Sequence, residues 1–338
     1  MGLKQYVDLM LPDIEKELQS QISRLNESRT LMFYEMLTYH MGWTGEGAGP
    51  EATGKRIRPL MLLLATASCK QADWKSALPA AAAVELVHNF SLVHDDVQDN
   101  SDKRRGRPAV WAKWGVPMAI NAGDALFVIS NQAVMDLSRS HPASTVVRAA
   151  RILHDTCLDL TRGQFMDMSY EERTDLTIED YWPMIAGKTS ALLSTCTQIG
   201  ALLGNATEEA QESYRQFGVH LGLAFQVQDD ILGIWGDETV TGKSAASDLV
   251  EGKNSLPVLF ALSKGGRFAD RWGQGPIKPD EVKSVAALLD MEGGREYAEE
   301  ISQRETGQAL SFLEEADPQG KAGEALLELA NKLLNREQ

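Results

Sequence analysis

Apolar residues recur at i, i+3, i+4 and i+7 along nearly the whole chain, and this helical period constrains the fold more than any other feature of the sequence. It runs through residues 80–93, 121–137, 146–160, 181–203, 209–231, 282–289 and 325–334. Strand signals are sparse: alternating β-branched runs bounded by Asn-Gly or Asp-Gly turns are missing. The expected fold class is therefore all-α. Breakers fall between the periodic segments, at 42–54, 102–108, 141–142, 236–252 and 265–279. None reads as an interdomain linker. The expectation is a single all-α domain over 1–338, with N-terminal helices in 1–50 and the remaining helices bundled around a central cavity.

Composition narrows the partners. With 338 residues, 43% of them hydrophobic, the chain can bury a large core, which excludes a disordered or fibrous protein. Lys and Arg total 33 against 48 Asp and Glu, a formal charge of −15, so the surface as a whole repels nucleic acid and anionic membranes. Any anion must be met by a local basic cluster. Cys69, Cys157 and Cys196 are too few and too scattered for a disulfide framework or a thiolate zinc site, and they read as small buried side chains in a reducing compartment. Residues 1–11 carry no basic flank leading into an apolar run, and no uninterrupted apolar stretch reaches the ~18 residues a membrane span needs. A cytoplasmic protein with no stable membrane insertion is expected.

Two acidic motifs close apolar helices. In Leu92-Val93-His94-Asp95-Asp96-Val97-Gln98-Asp99, Asp95 and Asp99 are one helical turn apart and share a face, while Asp96 points about 100° away. Two carboxylates held side by side repel, and a hard divalent cation relieves this. Oxygen ligands select Mg²⁺ or Ca²⁺ over zinc or copper. The second motif is Phe225-Gln226-Val227-Gln228-Asp229-Asp230-Ile231-Leu232-Gly233, where glycine stands one turn beyond Asp229. One such motif is an ordinary solvated helix end. Two of them look like one metal site, held by Asp95 and Asp99 on one side and by Asp229 on another ion. Asp230 is read as a supporting residue. Mg²⁺ favours phosphate oxygens as further ligands, so a bound diphosphate is implied.

Basic residues gather beside these acids. Gly54-Lys55-Arg56-Ile57-Arg58-Pro59 opens one helix, and Lys103-Arg104-Arg105-Gly106-Arg107-Pro108 follows the first acidic motif. Lys188-Thr189 lies in Ala186-Gly187-Lys188-Thr189-Ser190, and Lys243 and Lys253 flank the loop after the second motif. Arginine forks match phosphate bidentately and lysines act as point charges. There is no nucleophile elbow, His-Glu-x-x-His zinc motif or phosphate loop of the Gly-x-x-x-x-Gly-Lys type.

Taken in order, these motifs resemble the trans-isoprenyl diphosphate synthases. The resemblance runs over roughly residues 50–335 and is closest in pattern to the geranylgeranyl type. It implies the type I isoprenoid synthase helical bundle, a homodimer, and condensation of isopentenyl diphosphate with an allylic diphosphate (dimethylallyl, geranyl or farnesyl). By resemblance, Lys55, Arg58, His88 and Arg105 form the isopentenyl diphosphate site, and Asp95, Asp99 and Asp229 hold Mg²⁺, three ions per site. Arg104, Lys188, Thr189, Gln226, Lys243 and Lys253 bind the allylic diphosphate or neutralise it as it leaves. Two departures stand out: Thr53 replaces the usual first glycine before Gly54-Lys55-Arg56, and Gly233 replaces the last acid of the second motif.

Product length should be set where the growing tail meets a bulky side chain on the helix bearing Asp95. Phe90 lies five residues upstream, about 7.5 Å along the axis, with the small Ser91 beside it. This pairing, without an insertion in the motif, resembles the geranylgeranyl type, so a twenty-carbon product is expected. The alternatives are a longer-chain polyprenyl diphosphate synthase, a class I terpene cyclase and a non-catalytic partner subunit. A cyclase has no use for Lys55, Arg58 and Arg105, and a non-catalytic chain is free to lose its acids.

Overall fold

A computed structural model describes residues 1–70, 72–171, 173–236 and 246–334. They group into two compact units, the first made of Met1–Asp155, Thr195–Glu212 and Asp317–Leu326, the second of Thr156–Ser194, Ser213–Ala316 and Leu327–Gln338.

The first unit opens with α1 (Leu3–Ile22), α2 (Leu31–His40), the short α3 (Pro50–Thr53) and α4 (Ile57–Ala67), followed by α5 (Leu78–Gln98). Helix α4 is apolar on every side and buried from Pro59 to Thr66, so it is a core element rather than an amphipathic cover. Helix α5 lies against α4, α1 and above all α7 (Val116–Met135), which follows the short α6 (Val110–Trp114). Small residues allow that closeness: a methyl group on Gly123 of α7 would stand 2.2 Å from His94 Nε2 of α5. By length and composition Trp74–Gln98 could cross a membrane, which a count of uninterrupted apolar residues does not register. Yet 61% of its apolar window is buried inside the protein, as in a core helix.

Among the described residues one strand pair interrupts the helices: β1 (Lys103–Arg104) and β2 (Arg107–Pro108), antiparallel with Arg104 opposite Arg107. Its turn is Arg105-Gly106, both at positive φ (52° and 73°), as the tight primed hairpin turns require. An Arg-Gly pair thus does what Asn-Gly usually does, which is why the hairpin is illegible from turn signals.

The chain continues through α8 (Ala143–Tyr170), α9 (Ile178–Ile185), a π-helical turn at Ala186–Ser190, α10 (Ala191–Leu203), α11 (Glu208–Trp235), α12 (Ser247–Val250), α13 (Leu256–Lys264), α14 (Arg267–Trp272), α15 (Val282–Met291), α16 (Gly294–Glu315) and α17 (Gly320–Leu334); α9 and α12–α16 lie wholly in the second unit, while α8, α10, α11 and α17 are each divided between the two. One core cluster joins Tyr181 and Ile185 to Val227, Ile231, Leu256 and Leu259. A second gathers Ile234, Leu249, Val258, Phe268 and Leu289. Residues 181–203 form no single regular helix, because the chain widens into the π turn at Lys188-Thr189. Glycines permit close approach there: a methyl on Gly163 would meet the Lys188 backbone nitrogen at 2.2 Å, and one on Gly187 the Asp159 carbonyl oxygen at 2.6 Å. Single π turns inside helices recur at functional sites.

Candidate active site

In the first unit the basic motifs are drawn to one place by backbone geometry. Gly54, at φ 78°, leaves room for a guanidinium: a methyl group there would meet Arg105 Cζ at 2.8 Å. Arg105 uses that space to donate from Nη1 to the carbonyl oxygens of Ala52 at 2.8 Å and Thr53 at 3.0 Å. The glycine that matters is therefore Gly54, and the replacement of its predecessor by Thr53 leaves this docking intact. Arg58, Arg105, His40 and Arg104 all act electrostatically on His88 of α5. Burial pushes both histidines down, His40 to about 3 and His88 well below its usual value, with the arginines adding to the effect, so both imidazoles are neutral at pH 7. Burial also lowers Arg58 and Arg105 from the ordinary arginine value. Arg58 Nε and His40 Nε2 are buried and have no hydrogen-bond partner among the described residues. The structure thus brings Arg58, His88 and Arg105 together, with Lys55 exposed on the same loop. His40 joins them without a motif to announce it.

Two turns further along α5, Asp95 is half-buried and Asp99 exposed, and the Asp99 amide donates to the Asp95 carbonyl at 2.8 Å, so the helical turn runs through both. Asp96 is only 1% exposed and accepts from Arg104 Nε at 2.9 Å and Nη2 at 2.5 Å. Burial raises the Asp96 carboxyl while Arg104 opposes it. Phe90 contacts His94 edge-on and lies against Phe127 of α7, each with ring centroids 5.2 Å apart. Ser91 Oγ donates to the His88 carbonyl at 2.9 Å. Phe127 escapes a reading of the sequence because its role depends on the packing of α7 on α5.

The second unit holds Lys188, Thr189, Gln226, Asp229 and Lys253, while Lys243 lies outside the described residues. Thr189 Oγ donates to Gln226 Oε1 at 2.7 Å, and Gln226 Nε2 donates to Asp230 Oδ1 at 3.1 Å. The other Asp230 oxygen accepts from the Tyr181 hydroxyl at 2.7 Å and the Leu256 amide at 2.9 Å. Burial lifts Asp230 to about 6 against these hydrogen bonds. Lys188 pairs with Asp167 of α8. Lys253 pairs with Asp248 at 3.1 Å and Glu251 at 2.9 Å; burial opposes its charge, but the two carboxylates outweigh burial and hold it above the usual lysine value. The Asp248 carboxylate occupies the space a side chain at Gly233 would need, 2.0 Å from an added methyl. The cysteines are inert, with burial raising Cys69 and Cys157 to about 11 and Cys196 to about 12.

Residues 49–289 match the family model described as polyprenyl synthetase. The chain belongs to the polyprenyl synthetase family. It is 40% identical over 302 residues to the geranylgeranyl diphosphate synthase of Mycobacterium tuberculosis, covering 87% of this chain and 85% of that one. It is 38% identical over 312 residues to the (2E,6E)-farnesyl diphosphate synthase of the same organism, covering 89% and 86%. The crystal structure of a polyprenyl synthetase from Streptomyces coelicolor superposes with a TM-score of 0.87 at 34% identity, over 98% of this chain and 99% of the other. This polyprenyl synthetase is accordingly a trans-prenyltransferase of the isoprenyl diphosphate synthase class with the all-α isoprenoid synthase fold.

The family uses divalent metal, and the donors present suit one. Asp95 and Asp99 offer oxygen alone from successive turns of one face. Arg104 claims Asp96 between them. Among the described residues no three His, Cys, Asp or Glu side chains form a ready-made metal cage. Hard ions of this kind complete their shells with water and phosphate oxygen.

Proposed function

We propose that this chain is a Mg²⁺-dependent elongating prenyltransferase that joins isopentenyl diphosphate to dimethylallyl, geranyl or farnesyl diphosphate and releases all-trans geranylgeranyl diphosphate. The observation that carries the reading is the docking of Arg105 on the Gly54 loop, which sets Arg105 and Arg58 around His88, with Lys55 on the same loop, in addition to the metal-suited face of Asp95 and Asp99. An elongating enzyme needs a diphosphate site without metal; a terpene cyclase does not. The match at 49–289 runs through both units, which supports reading 1–338 as one catalytic domain.

Asp95 and Asp99 would hold Mg²⁺ on the first unit and Asp229 on the second, three ions in all. Bound Mg²⁺ supplies Lewis-acid neutralisation of charge on the departing diphosphate. Lys188, Lys243, Lys253 and Arg104 take up the rest of that charge, and Thr189 and Gln226 orient the group through their mutual hydrogen bond. Lys55, Arg58 and Arg105 fix the diphosphate of isopentenyl diphosphate, so that its double bond attacks the allylic carbocation. Neutral His88 can donate one N–H to the same anion. The released diphosphate accepts the final proton.

The aromatic pair Phe90 and Phe127 supports a twenty-carbon product by closing the path along α5. Incubation with Mg²⁺, isopentenyl diphosphate and each primer, with products sized by mass spectrometry, tests this. The expected product has twenty carbons, and Phe90→Ala or Phe127→Ala is expected to lengthen it by at least one five-carbon unit. Longer wild-type products would move the floor deeper and favour the polyprenyl reading; a fifteen-carbon product would place the floor nearer the metals.

A homodimer in the cytoplasm completes the proposal. Val116, Ile120, Val128 and Met135 along α7, with Val147, are large apolar side chains left 40–57% exposed on the single chain. Light scattering of active enzyme is expected to give twice the chain mass.

A further inference from the structure

The motif Gly54-Lys55-Arg56-Ile57-Arg58-Pro59 holds three cations, and the middle one does a different job from its neighbours. Arg56 sits at the start of α4 in the left-handed region, φ 48° and ψ 39°, a conformation that costs a non-glycine residue energy unless its surroundings enforce it. Its guanidinium is wholly buried and makes three contacts with three other parts of the first unit. Nε donates to Glu15 Oε1 of α1 at 2.6 Å, Nη1 to Glu85 Oε1 of α5 at 2.8 Å, and Nη2 to the Met41 carbonyl just after α2 at 3.2 Å. The acceptors are themselves pinned. Glu15 Oε2 takes the Trp43 indole N–H at 2.7 Å, and Glu85 Oε1 also takes Asn89 Nδ2 at 3.0 Å. Burial opposes the Arg56 charge, but Glu85 and Glu15 outweigh it, so the cation is held fully charged.

A guanidinium so enclosed has no path to a substrate, whereas Lys55 is exposed and Arg58 keeps an unpartnered Nε. We infer that Arg56, clamped by Glu15 and Glu85, is a positioning residue that sets the loop presenting Lys55 and Arg58 to the isopentenyl diphosphate anion. Residues 1–50, which carry no motif, act on that site through Glu15. A planar fork is what the arrangement needs, because a lysine at 56 could not reach three acceptors in three directions. The inference rests on the functional reading above and is separable from it.

Steady-state kinetics of the full-length enzyme, varying each substrate at saturation of the other, test it. Arg56→Lys is expected to raise KM for isopentenyl diphosphate about tenfold or more, with KM for the allylic substrate and kcat within about threefold. Glu15→Gln, at a carboxylate still 23% exposed, is expected to raise the same KM roughly threefold without unfolding the protein, and it carries the test if Arg56→Lys does not fold. In a Lys55→Ala background the Arg56→Lys effect on that KM is expected to shrink to about half or less, because residues acting through one another are not additive. Unchanged KM in folded variants, equal rises for both substrates, or full additivity with Lys55→Ala would overturn the inference while wild-type turnover stands. Absence of wild-type turnover would instead remove the functional reading on which it rests.

Discussion

The two Asp-Asp pairs are alike in sequence and opposite in how the protein treats their second member. On α5, Asp96 is buried and met by a full charge, the Arg104 guanidinium on the hairpin. On α11, Asp230 is also buried and, among the described residues, is met by dipoles: the Tyr181 hydroxyl, the Leu256 amide and the Gln226 side-chain amide. In each pair the second carboxylate is spent on holding neighbouring elements, Arg104 and its strand in one case, α9 and the start of α13 in the other. On the proposed reading, the first carboxylate of each pair, Asp95 or Asp229, is the one that would hold metal. The means of support is set by what packs nearby.

The largest expected effect separates first from second acids. Asp95→Ala and Asp229→Ala should each lower turnover about a thousandfold or more, the scale of lost metal neutralisation, with melting temperatures close to wild type. A comparable loss of stability in either variant would break the division of labour.

Stability should then distinguish charge from dipole. Arg104→Ala leaves the buried Asp96 without its counter-charge and is expected to cost about 3 kcal/mol in denaturant unfolding. Tyr181→Phe removes one of three donors from Asp230 and is expected to cost about 1 kcal/mol. The reverse order would contradict the contrast. Gly233→Ala falls between them at roughly 2 kcal/mol, since the added methyl meets an Asp248 carboxylate that Lys253 holds in place.

The remaining contrast is pH-dependent. Burial raises Asp230 from 3.8 to about 6, so the folded state binds its proton more tightly than the unfolded chain does. The stability this contributes is fully present below about pH 4 and is lost as pH rises through about 6, at no more than about 1.4 kcal/mol per unit. Between pH 4 and 8 the melting temperature of wild type should fall relative to that of Asp230→Asn as pH rises across that window. A constant difference would show that Asp230 does not titrate there.

Much of this was legible in the chain. The helical period located α5, α7, α8, α11, α15 and α17, because each buries a regular apolar stripe. It did not single out α1 or α16, although α1 buries Met10, Ile14 and Leu18 at helical spacing. The acidic motifs and the basic segments beside them could be read directly from residue type and local spacing, whereas the choice of Lys55, Arg58 and Arg105 from those segments came from the family resemblance. What could not be read depends on packing between distant segments. The Arg105 dock on Gly54, the Phe127 ring against Phe90 and the enclosure of Arg56 by Glu15 and Glu85 leave no local pattern. Hence a motif arginine can be a strut while an unremarked histidine, His40, stands in the cationic cluster.

The most direct test is a single pair of incubations of the wild-type enzyme with Mg²⁺ and farnesyl diphosphate, one with isopentenyl diphosphate and one without. The expected result is a prenyl diphosphate one five-carbon unit longer, formed only when both substrates are present. A hydrocarbon released from farnesyl diphosphate alone, or no product in either incubation, would contradict elongation by this chain.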